Sequence, residues 1–211
     1  MPAATVDFFA DLSCPWCYVG WEALKRAAEA RPSLSLSLTW RTFFLHPDMP
    51  AEGVDRAAYL SQRFPDKARL TAIHDALSAA ALAAGATLNA SAPARIPNTM
   101  NAHRMIHWAA SRNKAEAAID ALFQAYWVEG RDIGDAEVLC AAAHELGFDE
   151  TEIRSTMAGE ADIALVRDQH AAAVRMGVSG VPIAIINRET LVMGAESPEK
   201  YGRVLDAAVR S

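Results

Sequence analysis

Strand signal occurs only near the two ends of this 211-residue chain, and that distribution restricts its possible folds more than any other feature. Thr5–Ala10 (TVDFFA) is a short, mostly apolar run that suits a strand covered on both faces. The segment from Leu34 to Arg41 alternates apolar and polar residues with period two, the mark of a strand near a sheet edge with one wet face. Between them, Asp11, Ser13 and Pro15 form a helix-start signature ahead of a helical run that ends near Arg31–Pro32. Strand, helix, strand in this order predicts two parallel strands. From about Asp55 to Met176 no strand pattern appears. The periodicity there predicts helices over 56–64, 67–84, 99–111, 115–129, 135–146, 150–157 and 161–176, with Asp135 and Asp149 as caps and Gly147 just past a helix end. Strand signal returns from Gly180 to Asn187 and again at Thr190–Met193, before a last helix that starts at Ser197 and runs to Val209. Neither end can complete a sheet alone. Residues 1–48 and 175–211 therefore predict one α/β domain, interrupted by an all-helical subdomain over 49–174.

Composition excludes several classes. The formal charge of −6 and the absence of a basic cluster argue against a nucleic-acid partner, which needs Lys and Arg to replace counterions. No run approaches the ~18 apolar residues of a membrane span, and no charged-then-apolar leader precedes the first strand. The expectation is a cytoplasmic protein, monomer or homodimer, without membrane contact. Its three cysteines, Cys14, Cys17 and Cys140, are too few and too oddly counted for a structural disulfide framework.

Cys14-Pro15-Trp16-Cys17 carries the most chemistry. Two intervening residues at a strand-to-helix junction put both sulfurs on one side of the first helical turn, close enough to join and reopen. The first cysteine lies where unpaired N–H groups and the helix dipole favour a thiolate, with backbone N–H groups and the Cys17 thiol as its hydrogen-bond donors. Half of a zinc site is the competing reading. Cys140 stands alone, however, and no histidine pair has finger spacing; His103 and His107 lie one helical turn apart, but Arg104 occupies the place of a zinc protease's base. No metal is expected. Val181-Pro182 is the second element: a proline opening an apolar strand cannot donate to the ladder, and X–Pro is the common place for a cis bond. Facing the dithiol, such a loop would leave the Val181 backbone free to pair with an extended substrate.

These residues resemble the DsbA-like branch of the thioredoxin superfamily, especially the FrnE-like dithiol oxidoreductases. The resemblance rests on Asp11-Leu12-Ser13-Cys14-Pro15-Trp16-Cys17-Tyr18-Val19-Gly20, Pro97-Asn98-Thr99 with Ala102-His103-Arg104, Leu122–Trp127, and Gly177–Pro182, in the family's order. It implies a thioredoxin-like α/β fold with a helical insertion, a cis Pro182, and disulfide exchange through Cys14 and Cys17. Protein or small-molecule disulfides and dithiols would be the partners. A sister branch, the 2-hydroxychromene-2-carboxylate isomerases and kappa-class glutathione transferases, commonly has serine at the Cys14 position and activates glutathione there. Keeping both cysteines favours disulfide chemistry, with glutathione as the one co-substrate the resemblance admits. The stretch Ile183–Ile186 departs from the FrnE-like pattern in lacking aromatic residues.

Around the dithiol, Pro15, Trp16, Val181, Pro182, Asn98 and His103 are the substrate-contact candidates. The competing reading, a helix cap for Asn98 and a satisfied core histidine for His103, is slightly favoured. Trp16 and Tyr18 read as an exposed docking surface, Trp108, Phe123, Tyr126 and Trp127 as core, and Cys140 as a buried thiol. Two further functional readings remain beside disulfide exchange: a glutathione-dependent isomerase or transferase, and a non-catalytic module holding apolar peptides.

Overall fold

A computed structural model describes residues 3–210. A four-stranded sheet in the order β2-β1-β5-β6 organises it. Strand β1 (Ala3–Ala10) runs parallel to β2 (Ser35–Thr42) and antiparallel to β5 (Ile183–Ile186), so the two ends of the chain meet along one strand. Strand β2 lies at the edge and keeps the alternation seen in its sequence: Leu36, Leu38 and Trp40 are half-buried while Ser35, Ser37, Thr39 and Arg41 face water. Strand β6 (Thr190–Met193) closes the other edge. The strand expected from Gly180 is shorter, because residues 180–182 form the loop that carries a cis peptide.

Helix α1 (Pro15–Glu29) crosses from β1 to β2. Cys17, Trp21 and Leu24, spaced three and four apart, are wholly buried and turn one stripe of it toward the core. Helices α2 (Arg56–Arg63), α3 (Lys67–Ala84), α4 (Met100–Ala110), α5 (Ala115–Phe123), α6 (Ala136–Glu145), α7 (Glu150–Ala158) and α8 (Ile163–Arg175) follow, and α9 (Pro198–Ala208) ends the chain. Helix α3 packs on α1, α8 on β2, and α9 on α1. The caps behave as the sequence predicts: Asp135, Asp149 and Ser197 side chains accept from first-turn N–H groups, and Gly147 takes φ +78° past the end of α6.

Two expectations need correction. The middle of the chain does contain strand: β3 (Val54–Asp55) pairs antiparallel with β4 (Arg95–Ile96). Two residues apiece are too short to show alternation, and the ribbon is set by long-range contacts. Gly53, at φ +67°, lies so close to the Ile96 carbonyl that an added Cβ would collide with it. The helix expected over 115–129 also changes character, since α5 ends at Phe123 and a π-helical turn (Gln124–Val128) follows.

Candidate active site

The loop between β1 and α1 is built around Asp11. Its wholly buried carboxylate accepts from Ser13 N–H (3.0 Å) and Ser13 Oγ–H (3.2 Å) with one oxygen, and from Leu45 N–H (2.6 Å) with the other. One side chain thus ties the dithiol loop to the chain leaving β2. Trp127 Nε1–H secures the next residue by donating to the Leu12 carbonyl at 2.9 Å. Cys14 is the N-cap of α1, with extended backbone, and Pro15 takes the first helical position, where no N–H is needed.

Cys14 is 3% exposed and Cys17 not at all. The Cys14 thiol donates across the molecule to the Val181 carbonyl at 3.8 Å, and the Val181–Pro182 peptide is cis. Gly20 lets this loop approach α1: a Cβ there would lie 3.3 Å from the Pro182 ring. The expected bonds from first-turn N–H groups to the Cys14 sulfur are absent among the described residues, because the thiol is turned toward Val181 instead. Burial pushes the Cys17 thiol well above the ordinary range, and the hydrogen bond to Cys14 and its charge add to this, while a backbone hydrogen bond from Asp11 works the other way.

Behind the loop lies a buried polar group that the sequence reading did not assemble. Trp40 Nε1–H donates to His103 Nδ1 at 3.2 Å, which leaves the ring's proton on Nε2, 3.9 Å from the Asp11 carboxylate. Burial alone would raise the Asp11 carboxyl. His103 and the N–H groups of Ser13 and Leu45 outweigh it and hold the carboxyl below the ordinary range.

A cleft of about 390 Å³ opens at the dithiol, lined by Cys14, Pro15, Trp16 and Val181 on one side and by α2, α3 and the π-helical turn on the other. A larger hollow of about 690 Å³ beside β2 contains no sulfur among its lining residues. Of the sequence candidates, Cys14, Pro15, Trp16 and Val181 share the smaller cleft, and Cys17 and Pro182 stand immediately behind. Asn98 and His103 do not line it. Asn98 accepts from Met100 N–H and donates to the Met49 carbonyl, holding the start of α4, and His103 is packed between Trp40 and Phe44. Tyr18 is buried rather than exposed, its hydroxyl on the Thr87 carbonyl and its ring on Phe123. Cys140 is buried in α6. Sequence reasoning missed Arg56, His46 and Tyr59 in the cleft. For Arg56 a signal existed: it occupies the first turn of α2, where the helix dipole disfavours a cation.

Sheet order, inserted helices and a CxxC pair at the head of the first helix together define a thioredoxin-like α/β domain of the DsbA type. The chain belongs to the DSBA-like thioredoxin domain family, whose family model matches residues 5–206. It is similar to the crystal structure of a probable DsbA oxidoreductase, SCO1869, from Streptomyces coelicolor, with 28% identity and a TM-score of 0.84 over 97% of this chain and 89% of that one. A 2-hydroxychromene-2-carboxylate isomerase shares the fold at 20% identity and a TM-score of 0.72, over 98% of this chain and 95% of its own. The uncharacterized protein YwbO of Bacillus subtilis is 24% identical over 95% of this chain and 94% of its own length. Among the described residues no helix is long and apolar enough to cross a membrane, and no group of three or more His, Cys, Asp or Glu could hold a metal ion.

Proposed function

We propose that this chain is a thiol–disulfide oxidoreductase of the FrnE-like branch, exchanging disulfides of proteins or small molecules through Cys14 and Cys17. The observation that carries the reading is the Cys14 thiol 3.8 Å from the Val181 carbonyl at the mouth of a cleft, with Cys17 buried behind it. Cys14, as thiolate, attacks a partner disulfide; a Cys14–partner bond forms, the partner's S–S bond breaks and one partner thiolate leaves. Cys17 then loses its proton, attacks the Cys14 sulfur, and releases the second partner thiol, leaving a Cys14–Cys17 disulfide and a reduced partner. Run backwards, the same steps oxidise a partner dithiol. The raised Cys17 thiol supports this order. Charge on Cys14 suppresses ionisation of Cys17, and formation of the mixed disulfide removes that charge.

The test is Cys17→Ser in a Cys140→Ala background, mixed with a disulfide-bonded polypeptide. A covalent adduct through Cys14 should accumulate, visible by mass spectrometry and abolished by adding Cys14→Ser. If no adduct forms, or if activity persists when Cys14 and Cys17 are both serine, disulfide exchange is not the function. The second outcome would favour a glutathione-dependent isomerase or transferase, or a peptide-holding module.

A further inference from the structure

The cleft at Cys14 has an uneven charge. In a chain of net charge −6, its lining contains Arg56, Arg63, His46 and His74 and not one Asp or Glu. The remaining surface is largely aromatic and aliphatic, with Trp16, Leu60, Phe64, Leu77, Tyr126 and Trp127. Arg56 stands out among these cations. It is half-buried in the first turn of α2 and lies over the Trp127 ring at 5.9 Å. Among the described residues its guanidinium forms no salt bridge, and burial disfavours its charge. Arg31, Arg41 and Arg154, by contrast, each have a carboxylate within 3 Å. Burying an arginine at the positive end of a helix without a counter-anion is unfavourable on both counts. The guanidinium's planar fork, with two parallel N–H donors along an edge, suits a bound carboxylate, which would remove that cost.

We infer that the cleft admits a small thiol or disulfide with an apolar body and a carboxylate, the carboxylate held by Arg56 and a sulfur presented to Cys14. This rests on the exchange reading above and names its substrate class. About 390 Å³ lies at the lower end of small-molecule sites, enough for a compact aromatic or branched aliphatic acid. With such a disulfide, Cys14 bonds to one ligand sulfur as the ligand's S–S bond breaks and one thiolate departs. Cys17, its proton lost to water, then displaces the second thiolate. Two electrons pass from the dithiol to the ligand.

Reduced protein should be mixed with three disulfides: dithiobis(nitrobenzoate), an aromatic diacid; dithiodipyridine, aromatic and uncharged; and oxidised glutathione, anionic with a polar body. Each rate is divided by that of N-acetylcysteine with the same reagent, which removes differences in leaving group. The expected order puts the aromatic diacid first, with saturation at high concentration. Arg56→Gln should lower the diacid-to-neutral ratio about tenfold, the factor given by ~1.4 kcal/mol of charge-assisted hydrogen bonding. Arg56→Lys should recover only part of the ratio, because an ammonium keeps the charge without the two-pronged fork. A ratio unmoved by Arg56→Gln overturns the inference, as does a normalised rate highest for oxidised glutathione. In those cases exchange still proceeds and the proposed function stands. If all three reagents react no faster than with N-acetylcysteine, the exchange reading itself fails.

Discussion

Asp11 connects loop geometry to charge at the scale of one residue. Both carboxylate oxygens are occupied by donors from Ser13 and Leu45, so an amide cannot replace it without turning an NH2 toward one of those N–H groups. Asp11→Asn should therefore cost about 1–3 kcal/mol at neutral pH. The pH dependence has a definite sign. Because the folded-state pKa lies below the ordinary ~3.9 of an aspartate, the stabilisation is complete above that value and disappears as pH falls through the lower, folded-state value. Urea unfolding of wild type and variant should show a gap at neutral pH that narrows in strong acid. A gap of equal size at both would mean that the charge of Asp11 is not what holds the loop. The role of Asp11 was only half legible in the sequence. Its place ahead of Cys14 reads as a helix start, but its distant partners, His103 on α4 and Leu45 after β2, are brought in only by the tertiary fold.

At the scale of elements, the helices divide into those ended by local chemistry and those ended by distant side chains. Asp135, Asp149 and Ser197 cap their own first turns, and such caps are readable because donor and acceptor are two or three residues apart. Helix α7 ends differently. Arg104, wholly buried in α4, donates to the carbonyls of Thr156, Met157 and Gly159 and lies over the Trp108 ring at 5.1 Å. Nothing in the sequence links residue 104 to residues 156–159. Replacing Arg104 with Met would keep the bulk but strand those carbonyls, a loss of about 3 kcal/mol. Arg104→Lys should recover little of it, because a single ammonium cannot spread over the carbonyls that the guanidinium fork spans. Denaturant midpoints decide the matter: full recovery with Lys would show that charge alone, not the fork, ends α7. The π-helical turn and the β3–β4 ribbon were illegible for the same reason. Trp127 reaching Leu12, and Gly53 reaching Ile96, are tertiary contacts that override local pattern.

At the scale of the whole molecule, the question is whether the inserted helices form a separate unit. The strand-free stretch suggests one from sequence, yet the aromatic core crosses the supposed boundary. Trp21 meets Trp40 at 6.1 Å, Trp40 meets Phe123 at 6.0 Å, and Phe123 meets Tyr18 at 5.3 Å. Trp21 Nε1–H also donates to Asp120 at 2.7 Å, and Lys25 reaches the other oxygen of the same carboxylate at 2.7 Å. Helix α5 therefore contributes to the same packed interior as α1 and β2, and interiors of that density do not separate in part without losing contacts on both sides. We predict that far-ultraviolet circular dichroism, near-ultraviolet circular dichroism and tryptophan fluorescence report one coincident unfolding transition. The tryptophans make this a sharp test, since Trp16, Trp21 and Trp40 belong to the sheet-bearing ends while Trp108 and Trp127 belong to the helical stretch. Phe123→Ala, which opens a cavity where the two meet, should cost about 3–5 kcal/mol and move all three signals together. If the near-ultraviolet signal collapses while helical signal persists on a plateau, the helices stand on their own, and the shared core is weaker than its geometry implies.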